Sequence, residues 1–229
     1  MKISHPPPPW PKTIGEAKTL QAAFAERVVI APLAATPVTV TAVDAAFSDD
    51  RVIAVAASFE FGSLKFLEQT HCVRAVTFPY IPGYLTFREG PAIACAIRKL
   101  SAIPDLLLVD GQGIAHPRMC GIASHLGVLL DAPTIGCAKS RLVGSYTEPD
   151  ARKGSWAPLV NEHGVVIGAA LRTRDRVKPL FVSPGHRITL SDAIRVTLHC
   201  TGRFRIPEPL RVADALTKKL RDKLLSGVQ

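Results

Sequence analysis

The spacing of apolar residues first predicts three adjacent strands. Apolar residues alternate with small or polar ones over residues 38–47, and residues 51–59 repeat this pattern after a short polar turn at 48–50. Two runs of period-two alternation joined by a short turn predict a β-hairpin. Residues 64–78 continue with a third run of the same kind. We therefore predict an antiparallel meander in the first third of the chain.

The rest of the chain alternates helical and extended patterns. Residues 14–30 carry Leu20, Phe24 and Val28 at the four-residue spacing of one helix face. Further helices are predicted at residues 90–102, 120–130, 190–200 and 209–225, and short strands at 106–109, 134–138, 165–172 and 179–183. This order predicts an α/β fold, a mixed sheet covered by helices, in one domain. The predicted divisions are a proline-rich arm at 1–12, the folded domain at 13–229 and a surface loop at 147–158.

Composition narrows the class of protein and of partner. Of 229 residues, 47% are hydrophobic and 21% are charged, which is typical of a globular chain and excludes a largely disordered one. Lys and Arg number 28 against 19 Asp and Glu, so the net charge is +9. A basic excess of this size favours a polyanionic partner, most simply nucleic acid.

The cysteines and the longest uncharged stretch bear on the cellular compartment in which the protein is expected. The five cysteines are scattered and contain no Cys-x-x-Cys pair, so neither a disulfide framework nor a thiolate zinc site is predicted. The stretch between Arg27 and Asp44 contains two prolines and is too short to span a bilayer. The proline-rich start lacks the apolar core of a secretory signal. We expect a cytoplasmic protein without a membrane partner.

Two aspartates lie where a purely structural role is unfavourable. Asp44 interrupts an apolar strand, and Asp110 directly follows the apolar run at residues 106–109. A carboxylate there is costly to bury unless it is paired or bound to metal, and strand carboxyl ends in open sheets face the ligand crevice. Two carboxylates with water oxygens would suit magnesium. The alternatives are a salt bridge from Asp44 to an arginine and an Asx turn between Asp110 and Gly111.

A stiff loop after the third strand holds an aromatic side chain outward. Pro79 and Pro82 flank Tyr80 and Ile81, and Gly83 follows. The segment is either an ordinary turn with a packed tyrosine or a wedge that inserts into a base stack, as in proteins that bind the minor groove.

Three other residues are candidates on weaker grounds. Glu89 lies just ahead of a predicted helix, where it could simply complement the helix dipole. His116 follows a glycine-rich turn that lets a ligand approach closely but lacks the Rossmann and phosphate-loop fingerprints. Lys139 ends a predicted strand and shares an edge with Asp110 if the strands are parallel; otherwise it is a solvated lysine.

Several segments together resemble the endonuclease V family. They are VDAAF at 43–47, PYIPG at 79–83, FREGP at 87–91, VDGQG at 109–113, HPR at 116–118, GCAKS at 136–140, SPGHR at 183–187 and RIPEP at 205–209. The match runs in order over nearly the whole chain, and PYIPG followed by FRE is its most specific part.

The resemblance implies a ribonuclease-H-like fold and a magnesium-dependent endonuclease, in which manganese can replace magnesium. The nick would fall at the second phosphodiester bond 3′ to deoxyinosine, a deaminated adenine, and the altered base would stay in place. The resemblance implies that Asp44 and Asp110 bind metal, that Glu89 completes the acidic site and that Lys139 lies near the scissile phosphate. Asp214 stands where relatives carry an acidic residue or a histidine.

The resemblance also implies how substrate is bound. Tyr80 would fill the space left by the displaced base. The residues expected to contact substrate with it are Ile81, Pro82, Gly83, Gly111, Gly113 and His116. The expected partner is DNA containing deoxyinosine, bound by a monomer.

Three other functions stay open. An endoribonuclease acting on inosine in RNA is the nearest, and the 2′-hydroxyl would distinguish it. The second is the nuclease part of a nucleotide-excision enzyme, which the wedge motif disfavours. The third is a nucleic-acid-binding protein without activity, which the presence of Asp44, Glu89 and Asp110 disfavours.

Overall fold

The predicted meander forms one edge of the sheet. In the computed structural model, which describes residues 9–226, β1 (Thr39–Ser48), β2 (Arg51–Glu60) and β3 (Phe66–Ala75) pair antiparallel in succession. Asp49, with a left-handed φ of +50°, forms the tight turn between β1 and β2. Residues 1–8 of the arm predicted at 1–12 lie outside the described residues.

Five more strands extend the sheet on the other side of β1. They are β4 (Leu107–Val109), β5 (Thr134–Ala138), β6 (Trp156–Val160), β7 (Val166–Leu171) and β8 (Leu180–His186). The order is β3-β2-β1-β4-β5-β8-β7-β6. β1, β4 and β5 run parallel, and the other pairs are antiparallel. The predicted mixed sheet is confirmed.

Helices cover both faces of the sheet. They are α1 (Ile14–Ala25), α2 (Leu85–Arg98), α3 (Ile122–Leu130), α4 (Leu190–His199) and α5 (Glu208–Leu225). α2 and α3 pack on one face and α4 and α5 on the other, so each face has its own apolar core. α1 packs outside α3. Across residues 9–226, no helix combines the length and the apolar character needed to cross a membrane.

Two element boundaries differ from the prediction in ways that affect the site. α1 ends at Ala25, so residues 26–30 are not helical. α2 begins at Leu85, earlier than predicted, and Glu89 therefore lies inside this helix and not ahead of it. Tyr84 at the N-cap makes no side-chain capping bond, so the usual start signal is missing from the sequence.

The prediction of a surface loop at 147–158 is wrong for its last three residues, 156–158. Strand β6 begins at Trp156 and contains Pro158. Proline cannot donate to a strand ladder, which makes such a segment look irregular. β6 tolerates Pro158 because it is the last strand of the sheet: it pairs with β7 on one side, and on its other side Ser145 bridges it only at Val160.

The prediction that no disulfide forms is also wrong. Cys72 of β3 and Cys95 of α2 are joined, with their Cα atoms 5.9 Å apart. β3 packs against α2, which brings together two cysteines that are 23 residues apart in sequence. Cys120, Cys137 and Cys200 are free and buried, as predicted. The prediction of a reducing compartment loses part of its basis.

Candidate active site

Strand register places Asp44 and Asp110 side by side. Val43 of β1 pairs with Val109 of the parallel strand β4, so each strand continues with an aspartate at the same level of the sheet. Both aspartates line one cleft of about 400 Å³. Ligands of open sheets bind at this edge, beyond the carboxyl ends of parallel strands.

Asp44 is a half-buried carboxylate held by a hydroxyl group. No salt bridge reaches it from any residue that the structure describes, so an arginine partner, the alternative structural role, is not seen. Thr217 Oγ1 of α5 donates a 2.7 Å hydrogen bond to its Oδ2. Burial, opposed by this hydrogen bond and reinforced by the charges of Asp110 and Asp214, raises the pKa of Asp44 to about 6.

Glu89 reaches the same cleft from α2. The first turn of α2 contains no acidic residue, so Glu89 is not placed to complement the start of the helix. Burial raises the pKa of Glu89 to about 8; the charges of Asp44 and Asp110 add to this effect, and Arg88 opposes it. The cleft thus holds two carboxylates, Asp44 and Glu89, whose pKa values are raised by burial and by neighbouring carboxylates.

Lys139 forms an ion pair with Asp110. Its Nζ lies 2.5 Å from Asp110 Oδ2, as the parallel arrangement of β4 and β5 predicts, and Asp110 therefore has a partner other than the turn at Gly111. Burial would lower the pKa of Lys139, but the hydrogen bond and the charge of Asp110 raise it, with smaller contributions from the other two aspartates of the cleft. Arg205 Nη2 donates a 2.6 Å hydrogen bond to the Lys139 carbonyl oxygen.

Helix α5 supplies the opposite wall of the cleft. Asp214 lines it and forms a 2.7 Å ion pair with Lys218. Thr217 and Lys218 were not identified from the sequence. Both lie three or four residues after Asp214, which is the spacing of one helix face, and this spacing could have indicated them.

The donor set fits a magnesium ion. Within residues 9–226, no three His, Cys, Asp or Glu side chains are grouped closely enough to hold a metal as they stand. Magnesium does not require such a cage, because it usually binds one or two carboxylates and keeps several waters. Neighbouring carboxylates whose pKa values are raised by burial and mutual repulsion gain from a bound cation.

A second cavity, of about 370 Å³, lies beside the proline-flanked loop. Tyr80 at the tip of this loop is 70% exposed, which rules out the alternative of a packed tyrosine. The other predicted substrate-binding residues that line the cavity are Ile81, Pro82, Gly83, Gly111 and His116. Asp110 and Lys139 line both cavities, so the pocket opens beside the acidic cleft.

Gly113 and His125 are not part of the pocket lining. The Gly113 amide donates a 2.8 Å hydrogen bond to Ser183 Oγ, and a Cβ there would lie 2.0 Å from the Pro184 carbonyl oxygen. Gly113 supports the pocket and does not line it. His125 is buried, with its ring 4.0 Å from that of Phe24, and burial lowers its pKa to about 3.

Comparisons with known proteins agree with this architecture. A sequence profile described as Endonuclease V matches residues 22–215. Endonuclease V of Roseiflexus sp. (strain RS-1) is 48% identical over 208 residues, which cover 91% of this chain and 93% of that protein.

Solved structures agree as well. The crystal structure of Endonuclease V from Streptomyces avermitilis has a TM-score of 0.90 and 42% identity, covering 96% of this chain and 97% of that one. Endonuclease V from Ciona intestinalis, in complex with a 24mer DNA containing an inosine followed by a ribo-adenosine, has a TM-score of 0.80 and 27% identity over 92% and 98%. The predicted ribonuclease-H-like α/β fold is confirmed. The chain belongs to the endonuclease V family, whose members are nucleases, hydrolases that cleave phosphodiester bonds.

Proposed function

We propose that this protein is a magnesium-dependent DNA repair endonuclease that recognises deoxyinosine and nicks the second phosphodiester bond 3′ to it. The observation that supports this most directly is the wall shared by the two cavities. Asp110 and Lys139 line both the acidic cleft and the pocket beside Tyr80. A base held in that pocket would leave its own strand beside the carboxylates, so recognition and cleavage can occur on one strand.

The acidic residues would hold the metal. Asp44 and Asp110 are its ligands in this proposal, Glu89 completes the acidic site, and Asp214 adds negative charge from α5. Magnesium there would activate a water molecule and stabilise the leaving 3′ oxygen. Manganese accepts the same oxygen ligands and can replace it. The Lys139 ammonium, which is paired with Asp110, would contact the scissile phosphate.

Recognition would combine a wedge and a pocket. The exposed ring of Tyr80 would replace the stacking lost when the base leaves the helix. Ile81 and Pro82 would shape the rim, and the backbone of Gly83 and Gly111 would approach the base closely. Burial and the neighbouring Arg118 charge lower the pKa of His116 to about 4, so this ring is neutral beside an uncharged base.

Inosine-containing RNA is the second candidate substrate. The DNA bound by the Ciona intestinalis protein carries a ribo-adenosine after the inosine, so a ribonucleotide is accommodated there in a relative. We propose a monomer as the active form, because residues of one chain line both cavities.

A nicking assay tests these assignments together. Matched duplexes would carry inosine in DNA, inosine in RNA or adenine as control, with Mg²⁺, Mn²⁺ or EDTA present. We expect metal-dependent nicking of the inosine DNA strand alone, with product length mapping the cut to the second bond on the 3′ side. Faster nicking of inosine RNA would assign the second substrate, and cleavage in EDTA would contradict the metal assignment.

A further inference from the structure

The loop that carries Tyr80 is tied at its base by a partly buried network of hydrogen bonds. The Gly83 carbonyl oxygen accepts hydrogen bonds from Arg118 Nη2 at 2.8 Å and from His116 Nε2 at 3.0 Å, and Gln21 Nε2 lies at 3.2 Å. A carbonyl oxygen has two lone pairs, so this single acceptor is fully used.

The hydrogen bond at His116 Nδ1 shows which ring nitrogen of His116 donates to Gly83. The Arg118 backbone N–H donates to His116 Nδ1 at 3.1 Å, so in the neutral ring the proton is on Nε2, which faces Gly83. The low pKa of His116 is consistent with this neutral form. The ring therefore contributes a neutral hydrogen bond to the base of the loop.

Arg118 joins the loop to the body of the protein. Its Nε donates to Gln21 Oε1 of α1 at 2.5 Å, and its guanidinium lies 4.2 Å from the centre of the Tyr84 ring. Gln21 is 1% exposed and also donates to the Cys120 carbonyl oxygen at 2.7 Å. Three separate segments of the chain thus meet at Gly83.

Glycine is required at position 83 for this arrangement. Its φ of +80° lies in the left-handed region, and a Cβ would lie 2.9 Å from Arg118 Nη2. The backbone can therefore approach the guanidinium closely only without a side chain. Tyr80, three residues earlier, is exposed and has little packing of its own to resist displacement.

We propose that Gln21 and Arg118 are positioning residues that brace the Tyr80 loop against the base stack during base displacement. This inference rests on the proposed function. Neither residue lines the acidic cleft or the pocket, so their effect on DNA would pass through Gly83 to the loop. A wedge that separates stacked bases needs such a support, because a loop free to move would yield instead of the stack.

The test compares three variants of the full chain. Arg118→Lys keeps the charge but loses the second contact of the guanidinium fork, and Gln21→Met keeps the volume but loses both donors. Arg27→Lys is the matched control, because Arg27 stacks on Phe24 at 5.3 Å as Arg118 does on Tyr84 but does not contact the loop. Fluorescence of 2-aminopurine next to inosine, in EDTA, measures base displacement without cleavage. Nicking of paired and single-stranded inosine DNA and the melting temperature complete the set.

We expect Arg118→Lys and Gln21→Met each to reduce displacement and nicking of paired inosine by at least about tenfold, because each variant removes at least one hydrogen bond of the charged Arg118 guanidinium. Nicking of single-stranded inosine should fall much less, because less unstacking is needed. The double variant should lose less than the product of the two single losses, since both act on Gly83. Arg27→Lys should match the wild type.

Equal losses on paired and single-stranded DNA, with a lowered melting temperature, would overturn the inference in favour of a structural role. Wild-type displacement retained in both variants would overturn it as well. A wild-type protein that displaces the base but does not nick would contradict the proposed function and leave the brace supported.

Discussion

Folding and metal binding favour opposite protonation states of single carboxylates in the cleft. Asp44 and Glu89 are half-buried near other carboxylates, which favours their neutral forms, whereas the proposed metal requires them charged. Lys139 relieves part of this repulsion at Asp110. The cleft is therefore less stable by itself than with a cation, and each carboxylate should affect cleavage and folding in opposite directions.

Removal of a proposed metal ligand should separate these two effects. Asp44→Asn should lower nicking by more than about a hundredfold, since loss of a residue that only supports a ligand costs about 10–100-fold. The fold should persist, because one buried like charge is removed. Nicking and the Mg²⁺-induced shift in melting temperature measure this. Asp49→Asn, in the exposed turn between β1 and β2, is the control, and wild-type nicking by Asp44→Asn would contradict the assignment.

Glu89 predicts a specific pH dependence of stability in EDTA. Its pKa is about 8 in the folded protein and near 4.5 when unfolded, so ionisation disfavours the folded state increasingly as pH rises through this range. Glu89→Gln removes that penalty. Relative to wild type, its free energy of unfolding should be similar near pH 4.5 and higher by on the order of a few kcal/mol above pH 8. Urea unfolding at both pH values measures this, and an equal difference at the two would contradict it.

At the scale of elements, two segments connect the cleft to its surroundings. The Tyr80 loop extends from the pocket toward solvent, and α2 carries Glu89 on the same helix as Cys95. Tyr80 at the tip of the loop is exposed, whereas α2 is held to β3 by a covalent bond. Changes in the two segments should therefore have different consequences.

The loop should contribute to recognition and not to stability. Tyr80→Ala should weaken binding to paired inosine DNA by roughly tenfold to a hundredfold, because base–aromatic stacking contributes about 1–3 kcal/mol. The loss should shrink on single-stranded DNA, and Mg²⁺ affinity should not change. Trp156→Ala removes another exposed aromatic ring as a control. A uniform loss on all substrates with a lower melting temperature would reject the wedge.

The link between α2 and β3 should contribute to stability. A disulfide that closes a loop of this size stabilises a fold by about 3 kcal/mol through the unfolded chain. Cys95→Ser should lower the free energy of unfolding by that order under oxidising conditions, and reducing agent should largely abolish the difference. Because the same bond is lost, Cys72→Ser with Cys95→Ser should add little further loss. Additive losses would contradict the bond.

At the scale of the whole molecule, the net charge of +9 favours DNA of any sequence. The charge promotes encounter, whereas the pocket and the wedge select the lesion. These two contributions differ in their response to salt, since phosphate contacts release counterions and stacking does not.

Salt should therefore weaken binding more than it weakens selectivity. Affinity for undamaged DNA should fall steeply between low and moderate salt, and the ratio of affinities for inosine and adenine duplexes should change much less. Fluorescence anisotropy over a salt series measures both. Affinity that does not change with salt would remove the electrostatic contribution.

Local periodicity and short motifs were enough to predict part of this structure. Period-two alternation located β1 and β2, and the apolar run before Asp110 located β4 and the end of that strand. The same patterns placed Asp44 inside an apolar strand and Asp110 at the end of another, which made both aspartates candidate metal ligands; that they lie side by side follows from the parallel pairing of β1 with β4 in the structure. The rigid residues around Tyr80 likewise implied an outward loop.

Features that depend on partners distant in sequence could be seen only in the folded chain. Thr217 donates to Asp44 from 173 residues away, and Gln21 reaches Gly83 across 62 residues. Pro158 is a strand residue only because β6 is an edge strand, and Cys72 meets Cys95 only because α2 packs on β3. Local patterns report the conformation that a segment prefers, whereas these contacts depend on which segments pack together.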